Sequence, residues 1–277
     1  MIDGNTLLIA HLGYPTASFK APLIYNPYFE RIGVNAAVVP MGVKAGAFEG
    51  FVAALFKLSN VRGALVTMPH KVNALSVVDQ SSPTAQIAGA CNAILLRPDG
   101  TLAGDMFDGE GFVRGVLRKG RAVVGARALV VGSGGVGSAI AASLAAAGIA
   151  ALGLFDVDGA ATPRLATRLR QHYPKLELSP GSSDPSGYDI VVNATPMGMN
   201  DGDPLPIDVE RISPSALVGE VVMRKEITPF LAAAKARGCE VQIGLDMLFE
   251  QIPAYLEFFG FPTTTPDELR RIAAIQV

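Results

Sequence analysis

The sequence has little of several features that define whole classes of protein. Its 277 residues include only two cysteines, Cys91 and Cys239, and no tryptophan. Two cysteines cannot build a disulfide framework or a four-ligand zinc site, and no set of His, Cys or carboxylate residues has metal-ligand spacing. We therefore expect buried thiols and no metal. The 30 glycines and 19 prolines are typical of a soluble α/β protein with many loops.

An excess of charge of one sign is also lacking. The 23 Lys and Arg residues nearly balance the 25 Asp and Glu residues, so the net charge is −2 and no basic surface for nucleic acid or anionic lipid is expected. No apolar run reaches the roughly 18 to 20 residues of a membrane span. The first residues lack the basic stretch of a secretory signal. We expect a cytoplasmic protein with a small-molecule substrate, no nucleic acid and no membrane partner, acting as a monomer or homodimer.

What is present is an alternation of strands and helices. Apolar, strand-like runs alternate with helical stretches rich in Ala and Leu, which favours parallel sheets built from βαβ units. The length favours two domains. We expect an α/β protein with a discontinuous substrate domain (1–107 plus 246–277) that contains a mixed, mostly parallel sheet. Residues 108–245 are expected to form a doubly wound, Rossmann-type dinucleotide-binding domain.

A glycine-rich loop marks the dinucleotide site. Gly132, Gly134 and Gly137 match G-x-G-x-x-G between an apolar strand and an Ala-rich helix. In that context the glycines allow a tight turn, a close approach to a pyrophosphate and close helix packing. The N–H groups at the helix start, from Gly135 and Val136 onward, then hold the phosphates.

An acidic residue at the next strand end indicates which nicotinamide cofactor is used. Asp156 follows that strand, and a carboxylate there accepts hydrogen bonds from the ribose hydroxyls and repels a 2′-phosphate. Asp158 lies beside it, and the nearest arginine is Arg164. We expect NAD rather than NADP. The alternative is that Asp156 only closes a turn.

A lysine at another strand end is the candidate catalytic residue. The strand that ends near Pro69 places Thr67 and Lys71 at its carboxyl end, where ligand crevices open in α/β proteins. A lysine there exchanges a proton with an alcohol during hydride transfer. From composition alone, a solvated lysine at a helix start is the simpler interpretation. We expect His70 to be a cap or surface residue and His11 to lie in the core or at a cleft rim.

Six segments, spread over nearly the whole chain, resemble motifs of the shikimate/quinate dehydrogenase family and follow one another in the family's order. They are Gly13–Asn26 for G-x-P-x-x-x-S-x-S-P-x-x-x-N, Val66–Lys71 for V-T-x-P-x-K, Gly89–Asn92 for G-A-x-N, Gly104–Gly109 for G-x-N-T-D-G, Asn193–Met199 for N-A-T-P-x-G-M, and Gly244–Gln251 for G-x-x-M-L-x-x-Q. The resemblance implies an NAD(P)-dependent dehydrogenase with its substrate held between two domains.

The resemblance also implies a role for each matching residue. Lys71 and Asp108 form the acid–base pair, and Thr67, Asn92 and Gln251 hold substrate hydroxyls. Residues expected at the cofactor, besides the glycine loop, are Asp156, Asp158, Asn193, Thr195, Pro196, Met197 and Gly244.

The sequence departs from the family pattern on the substrate side. Two serines that bind the substrate carboxylate are replaced by Phe19 and Ala21, a tyrosine by Met223, and an aspartate by Glu220. Two lost hydrogen bonds to a charged acceptor cost about 1.5–3 kcal/mol each, or roughly two to four decades in affinity. We expect weak activity on shikimate and a less polar or carboxylate-free substrate.

Two alternatives stay open. In the first, Ser18, Lys20 or Tyr25 replaces the missing carboxylate anchor, and the chain is a shikimate or quinate dehydrogenase with an unusual pocket. The other alternative is a catalytically silent sensor of NAD or a metabolite, which would have no physical reason to keep Lys71 and Asp108.

Overall fold

The computed structural model describes residues 2–275, and the chain folds into two compact units. The first unit comprises Met1–Phe107 and Ile252–Val277, and the second comprises Asp108–Gln251. Residues 276 and 277, which the sequence assigned to the substrate domain, lie outside the described residues, as does residue 1.

The first unit is built around a six-stranded sheet with helices between its strands. Its elements are β1 Leu7–Gly13, α1 Pro22–Arg31, β2 Ala36–Gly42, α2 Phe48–Leu55, β3 Val61–Val66, α3 Lys71–Ser76, β4 Gln80–Ser81, α4 Pro83–Ala88, β5 Ala93–Leu96, β6 Leu102–Asp105 and α10 Pro266–Ile272. The strand order is β2-β1-β3-β5-β6-β4. Strands β1, β2 and β3 pair in parallel, whereas β5 pairs antiparallel with both β3 and β6. The expected mixed sheet is confirmed.

The second unit contains a fully parallel sheet. Its elements are α5 Asp108–Arg118, β7 Arg127–Val131, α6 Gly135–Ala146, β8 Ala151–Phe155, α7 Ala161–His172, β9 Glu177–Pro180, β10 Ile190–Asn193, β11 Leu217–Glu220, α8 Pro229–Ala236, β12 Glu240–Gln242 and α9 Gly244–Phe259, whose last eight residues belong to the first unit. The strand order is β12-β11-β10-β7-β8-β9. This is the order of a doubly wound nucleotide-binding sheet, so the expected fold class is confirmed.

The core of the second unit explains why its short strands are apolar throughout. All residues of β10 are buried, as are those of β7 except its first, because helices cover both faces of a parallel sheet. The order of strands reverses between β7 and β10, and the carboxyl ends of these two strands form the crevice in which such sheets bind ligands.

The second unit extends to residue 251, six residues beyond the boundary at 245 expected from the sequence. The start of α9 is held against α5 by two ion pairs, Lys119 with Asp246 at 3.2 Å and Arg118 with Glu250 at 3.0 Å. A Cβ added at Gly111 would lie 2.7 Å from the Cβ of Gln251, so the two helices are in close contact there. The division therefore falls within α9.

Among residues 2–275, the structure contains no helix that is both long enough and apolar enough to cross a membrane.

Candidate active site

The carboxyl end of β3 gathers three of the expected substrate and catalytic residues within the first unit. Lys71 is the first residue of α3, and its carbonyl accepts a hydrogen bond from the N–H of Cys91 at 2.8 Å. The carbonyl of the next residue, Asn92, accepts one from Val66 at 2.8 Å. These backbone bonds hold Thr67, Lys71 and Asn92 around one strand end.

The side chain of Asn92 is buried and part of its hydrogen-bonding capacity is used within the protein. Its Oδ1 accepts a hydrogen bond from the N–H of Phe107 at 2.9 Å. The ring of Phe107, where the family pattern has threonine, packs against Tyr255 at 4.7 Å and Phe258 at 5.3 Å between ring centroids. Packing against aromatic residues of α9 therefore accounts for this departure from the pattern.

The segment in which the family pattern has the two serines lies against the end of β1. A Cβ added at Gly13 would overlap Thr67 and would lie 2.8 Å from Cζ of Phe19. The ring of Phe19 stacks on that of His11 with 4.0 Å between centroids. Ala21 precedes the first residue of α1 and offers only a methyl group. Neither position presents a side-chain donor for a carboxylate.

The three candidate replacements for those serines differ in accessibility. Ser18 is exposed and Lys20 is half-buried. Tyr25 is buried, and its hydroxyl has no hydrogen-bond partner among residues 2–275. Burial raises the pKa of Tyr25 well above its ordinary value, so the hydroxyl stays protonated.

Two histidines near this strand end are buried. His11 is 8% exposed, and burial together with the charge of Lys71 lowers its pKa to about 4. His70 is 1% exposed, with Nε2 2.6 Å from the carbonyl of Val43 and its ring stacked on Phe48 at 4.6 Å. His70 occupies the N-cap position of α3, although its side chain makes no capping hydrogen bond. The expectation of a surface position is wrong, because Phe48 of α2 covers the ring.

In the second unit, the glycine loop lies at the crevice between β7 and β10. A Cβ added at Gly132 would lie 2.7 Å from the carbonyl carbon of Ala194, so the loop after β7 touches the loop after β10. A Cβ at Gly137 would overlap the carbonyl oxygen of Gly132. Gly134 and Gly135 have open space where a side chain would project, and no side chain caps the 12-residue helix α6. These features fit a pyrophosphate at the helix start.

Asp156 is directed toward the same loop. Its Oδ2 accepts a hydrogen bond from the N–H of Ser133 at 2.6 Å, and its Oδ1 accepts one from the N–H of Asp158 at 2.9 Å. Asp158 in turn binds the guanidinium of Arg164 at 2.9 Å. Arg164, the arginine nearest to Asp156 in the sequence, is therefore paired with a carboxylate.

The loop after β10 is held in shape by its own side chains. Asn193 accepts hydrogen bonds from the N–H of Thr195 at 3.0 Å and from its hydroxyl at 2.6 Å, and it donates to the carbonyl of Met197 at 3.1 Å. Thr195 accepts from the N–H of Met197 at 3.1 Å. Pro196 lies within this hydrogen-bonded turn.

Glu220 and Gly244 complete this end of the sheet. Glu220 pairs with Asn193 in the register of β10 and β11, is fully buried, and accepts a hydrogen bond from the hydroxyl of Thr228 at 2.9 Å. Burial raises the pKa of Glu220 to about 7. A Cβ at Gly244 would overlap the carbonyl of Val222, next to the half-buried Met223. The sequence had marked Glu220 only as a departure from the family pattern, without signalling its burial.

Two further expected site residues also lie in the second unit. Asp108 is the first residue of α5 and is 5% exposed, and a carboxylate is favourable at a helix N-terminus. Gln251 is 7% exposed, and its Oε1 has no hydrogen-bond partner among the described residues. Across residues 2–275 there is no group of three or more His, Cys, Asp or Glu residues suited to a metal ion.

Comparison with known proteins places this arrangement in one family. Residues 12–94 match the family described as "Shikimate dehydrogenase substrate binding domain". A shikimate dehydrogenase (NADP(+)) of Acidiphilium cryptum is 34% identical over 99% of this chain and 98% of its own length.

Solved structures show the same fold over the whole length. Shikimate 5-dehydrogenase of Listeria monocytogenes, in complex with shikimate and NAD, superposes with a TM-score of 0.91 at 25% identity, covering 98% of this chain and 97% of that one. The ligand-free 5-ketofructose reductase of Gluconobacter sp. strain CHM43 superposes with a TM-score of 0.88 at 26% identity, covering 98% of both chains. The chain belongs to the shikimate dehydrogenase family and is a nicotinamide-dependent oxidoreductase.

Proposed function

We propose that the chain transfers a hydride between NAD and a ring secondary alcohol or ketone that resembles shikimate or quinate but carries no carboxylate, and that it is weak on shikimate. The observation that carries the proposal is the Phe19 ring stacked on His11 at the position of a carboxylate-binding serine.

The stacked ring changes both the shape and the chemistry of this end of the site. Phe19 fills space beside Gly13 and Thr67 and offers no hydrogen bond, and Ala21 offers none either. A carboxylate that loses its water here without gaining a donor is strongly disfavoured. A hydroxyl or methylene group at the same place is tolerated, because it carries no charge.

Lys71 and Asp108 are the proposed acid–base pair. When bound, nicotinamide supplies or accepts the hydride. As the hydride leaves a secondary alcohol, its oxygen must lose a proton, and the Lys71 amine takes that proton, returning it in the reverse reaction. A carboxylate such as that of Asp108 orients the ammonium and stabilises its charge. Thr67, Asn92 and Gln251 are proposed to hold the remaining hydroxyls.

Asp156 supports NAD rather than NADP. Both of its oxygens accept hydrogen bonds from backbone N–H groups of the loop and the turn, which hold the carboxylate just after β8. In dinucleotide-binding folds an acidic residue at this place meets the ribose hydroxyls, and its charge would repel a 2′-phosphate. The Acidiphilium relative is named as NADP(+)-dependent, whereas the Listeria structure contains NAD. The proposal therefore gives this chain a different cofactor preference from that named for the Acidiphilium relative, and it rests on Asp156.

The likeness to 5-ketofructose reductase supports a substrate without a carboxylate. By its name that enzyme reduces a keto sugar, and its fold covers the same 98% of the chain. A polyhydroxylated ketone offers hydroxyls for Thr67, Asn92 and Gln251 and a carbonyl for Lys71, with no acid group to place against Phe19.

The test is a substrate panel read at the nicotinamide absorbance. Shikimate, quinate and myo-inositol are offered with NAD and with NADP, and 5-ketofructose with NADH and NADPH. We expect turnover of a carboxylate-free member, with kcat/KM higher for the NAD(H) form than for the NADP(H) form. A micromolar KM for shikimate would instead identify a shikimate dehydrogenase anchored through Ser18, Lys20 or Tyr25.

A second arm distinguishes an enzyme from a sensor. Lys71→Ala is expected to lower kcat by about 10²–10⁴, the usual contribution of a general acid–base group, without changing the Kd for NAD. If wild-type protein binds NAD but turns over no member of the panel, the proposed activity is wrong and the result favours a sensor of NAD or a metabolite.

A further inference from the structure

His11 lies on the face of β1 that is directed toward the candidate substrate site. Side chains alternate along a strand, so His11 shares a face with Gly13, and a Cβ added at Gly13 would meet Thr67 and Phe19. In the sheet, His11 lies between Pro40 of β2 and Leu65 of β3. The interplanar angle of 28° between the His11 and Phe19 rings is that of a stacked pair.

One ring nitrogen of His11 is unsatisfied. Although His11 is 92% buried, its Nδ1 has no hydrogen-bond partner among residues 2–275. Buried polar atoms in native proteins almost always have a partner, so an unsatisfied one calls for an explanation, and a group of a bound substrate is one that fits here. The N–H of Thr67, a substrate-binding residue proposed above, donates to the carbonyl of Leu12 at 2.8 Å, so His11 lies one residue from that contact.

We infer that His11 is a specificity-determining residue that binds a hydroxyl of the substrate, an assignment that rests on the proposed function. A neutral imidazole has one donor and one acceptor nitrogen, and a hydroxyl matches either. The neutral ring carries no positive charge to attract a carboxylate, and Phe19 holds it in place by stacking. Together the two rings recognise a hydroxyl where the family's serines bind a carboxylate.

The first experiment compares two substitutions of His11 with a matched control. His11→Phe keeps an aromatic ring for Phe19 to stack on and removes both nitrogens, His11→Gln keeps a donor and an acceptor, and His172→Phe makes the same change at the end of α7 in the second unit. For the panel substrate with the lowest KM, His11→Phe should raise KM about 3- to 10-fold, the equivalent of one neutral hydrogen bond. His11→Gln should recover part of that loss, kcat should change less than KM, and His172→Phe should change neither.

The second experiment uses the wild-type protein, so it does not depend on the variants folding. Ring ¹⁵N signals of the three histidines are followed while the same substrate is added without nicotinamide. His172→Phe identifies the His172 signals, and contacts with the ring of Phe19 rather than Phe48 distinguish His11 from His70. A shift of the His11 signals that saturates with binding supports the assignment.

Two results separate the failure of this inference from that of the proposed function. Saturating binding with unmoved His11 signals, or an unchanged KM in folded His11→Phe, overturns the role of His11 and leaves the proposed function intact. If no member of the panel binds or reacts, the proposed function fails and the role of His11 fails with it.

Discussion

Replacing Glu220 by glutamine should change how the stability of the protein depends on pH. Glu220 is fully buried at the end of β11, where Oε2 accepts a hydrogen bond from Thr228 and Oε1 has no partner among the described residues. Burial raises its pKa from 4.5 to about 7, and the hydrogen bond from Thr228 opposes that rise without cancelling it. Glutamine has nearly the same shape and still accepts the Thr228 hydrogen bond.

The sign and size of the effect follow from the pKa in the folded and unfolded chains. Between pH 4.5 and 7 the folded chain holds this proton more tightly than the unfolded chain, so its contribution to stability is complete below pH 4.5 and is lost as pH rises through 7. Each pKa unit corresponds to about 1.4 kcal/mol, which makes the loss roughly 2–3 kcal/mol between pH 5 and pH 8. Glu220→Gln removes this loss.

The assay is urea unfolding followed by far-UV circular dichroism at pH 5 and pH 8, since the chain has no tryptophan to report by fluorescence. Glu226→Gln is the matched control, because Glu226 is an exposed carboxylate of the same unit. Relative to wild type, Glu220→Gln should gain about 2–3 kcal/mol in unfolding free energy on going from pH 5 to pH 8, and the control should gain nothing measurable.

A relative gain below about 1 kcal/mol for Glu220→Gln would refute the reasoning, because it would mean that ionising Glu220 in the folded chain costs less than one pKa unit. An equal gain in Glu226→Gln would show that the pH dependence has another source.

Two further predictions concern the two subsites. Phe19→Ser combined with Ala21→Ser should raise kcat/KM for shikimate by about 10²–10⁴, the equivalent of two hydrogen bonds to a carboxylate, and an unchanged value in the folded double variant would show that these positions do not face the substrate. Gly137→Ala should raise the Kd for NAD more than about tenfold, since its Cβ would overlap the carbonyl of Gly132 and displace the loop. Gly159→Ala, where a Cβ meets open space, is the control, and equal affinities in both variants would contradict the expected displacement.

Local patterns in the sequence were enough to predict most of the helices and strands. The β7 strand, the glycine loop and α6 were predictable because an apolar run, a G-x-G-x-x-G and an Ala-rich helix are contiguous in the chain. Short elements without a strong pattern were missed, among them the two-residue strand β4 and the mostly exposed strand β9, since pairing with a neighbour rather than composition makes them strands.

Long-range packing is what the sequence could not supply. His70 looked like a surface residue because it begins a helix, yet Phe48 and the carbonyl of Val43, more than 20 residues away, enclose it. The end of the second unit at residue 251 rather than 245 depends on the contacts of α9 with Lys119 and Arg118, which no local pattern encodes.

The amino-acid sequence already defines the available chemistry: a glycine-rich loop, an acidic residue after the next strand, a lysine at a strand end and the absence of two serines. These are properties of residue type and spacing, and they are readable before the chain folds. The tertiary structure stacks His11 on Phe19 and buries Glu220, and among residues 2–275 it leaves Nδ1 of His11 and Oε1 of Glu220 without a hydrogen-bond partner. Burial and stacking arise from segments distant in the chain, so only folding brings those groups into the surroundings that set their charge and their partners.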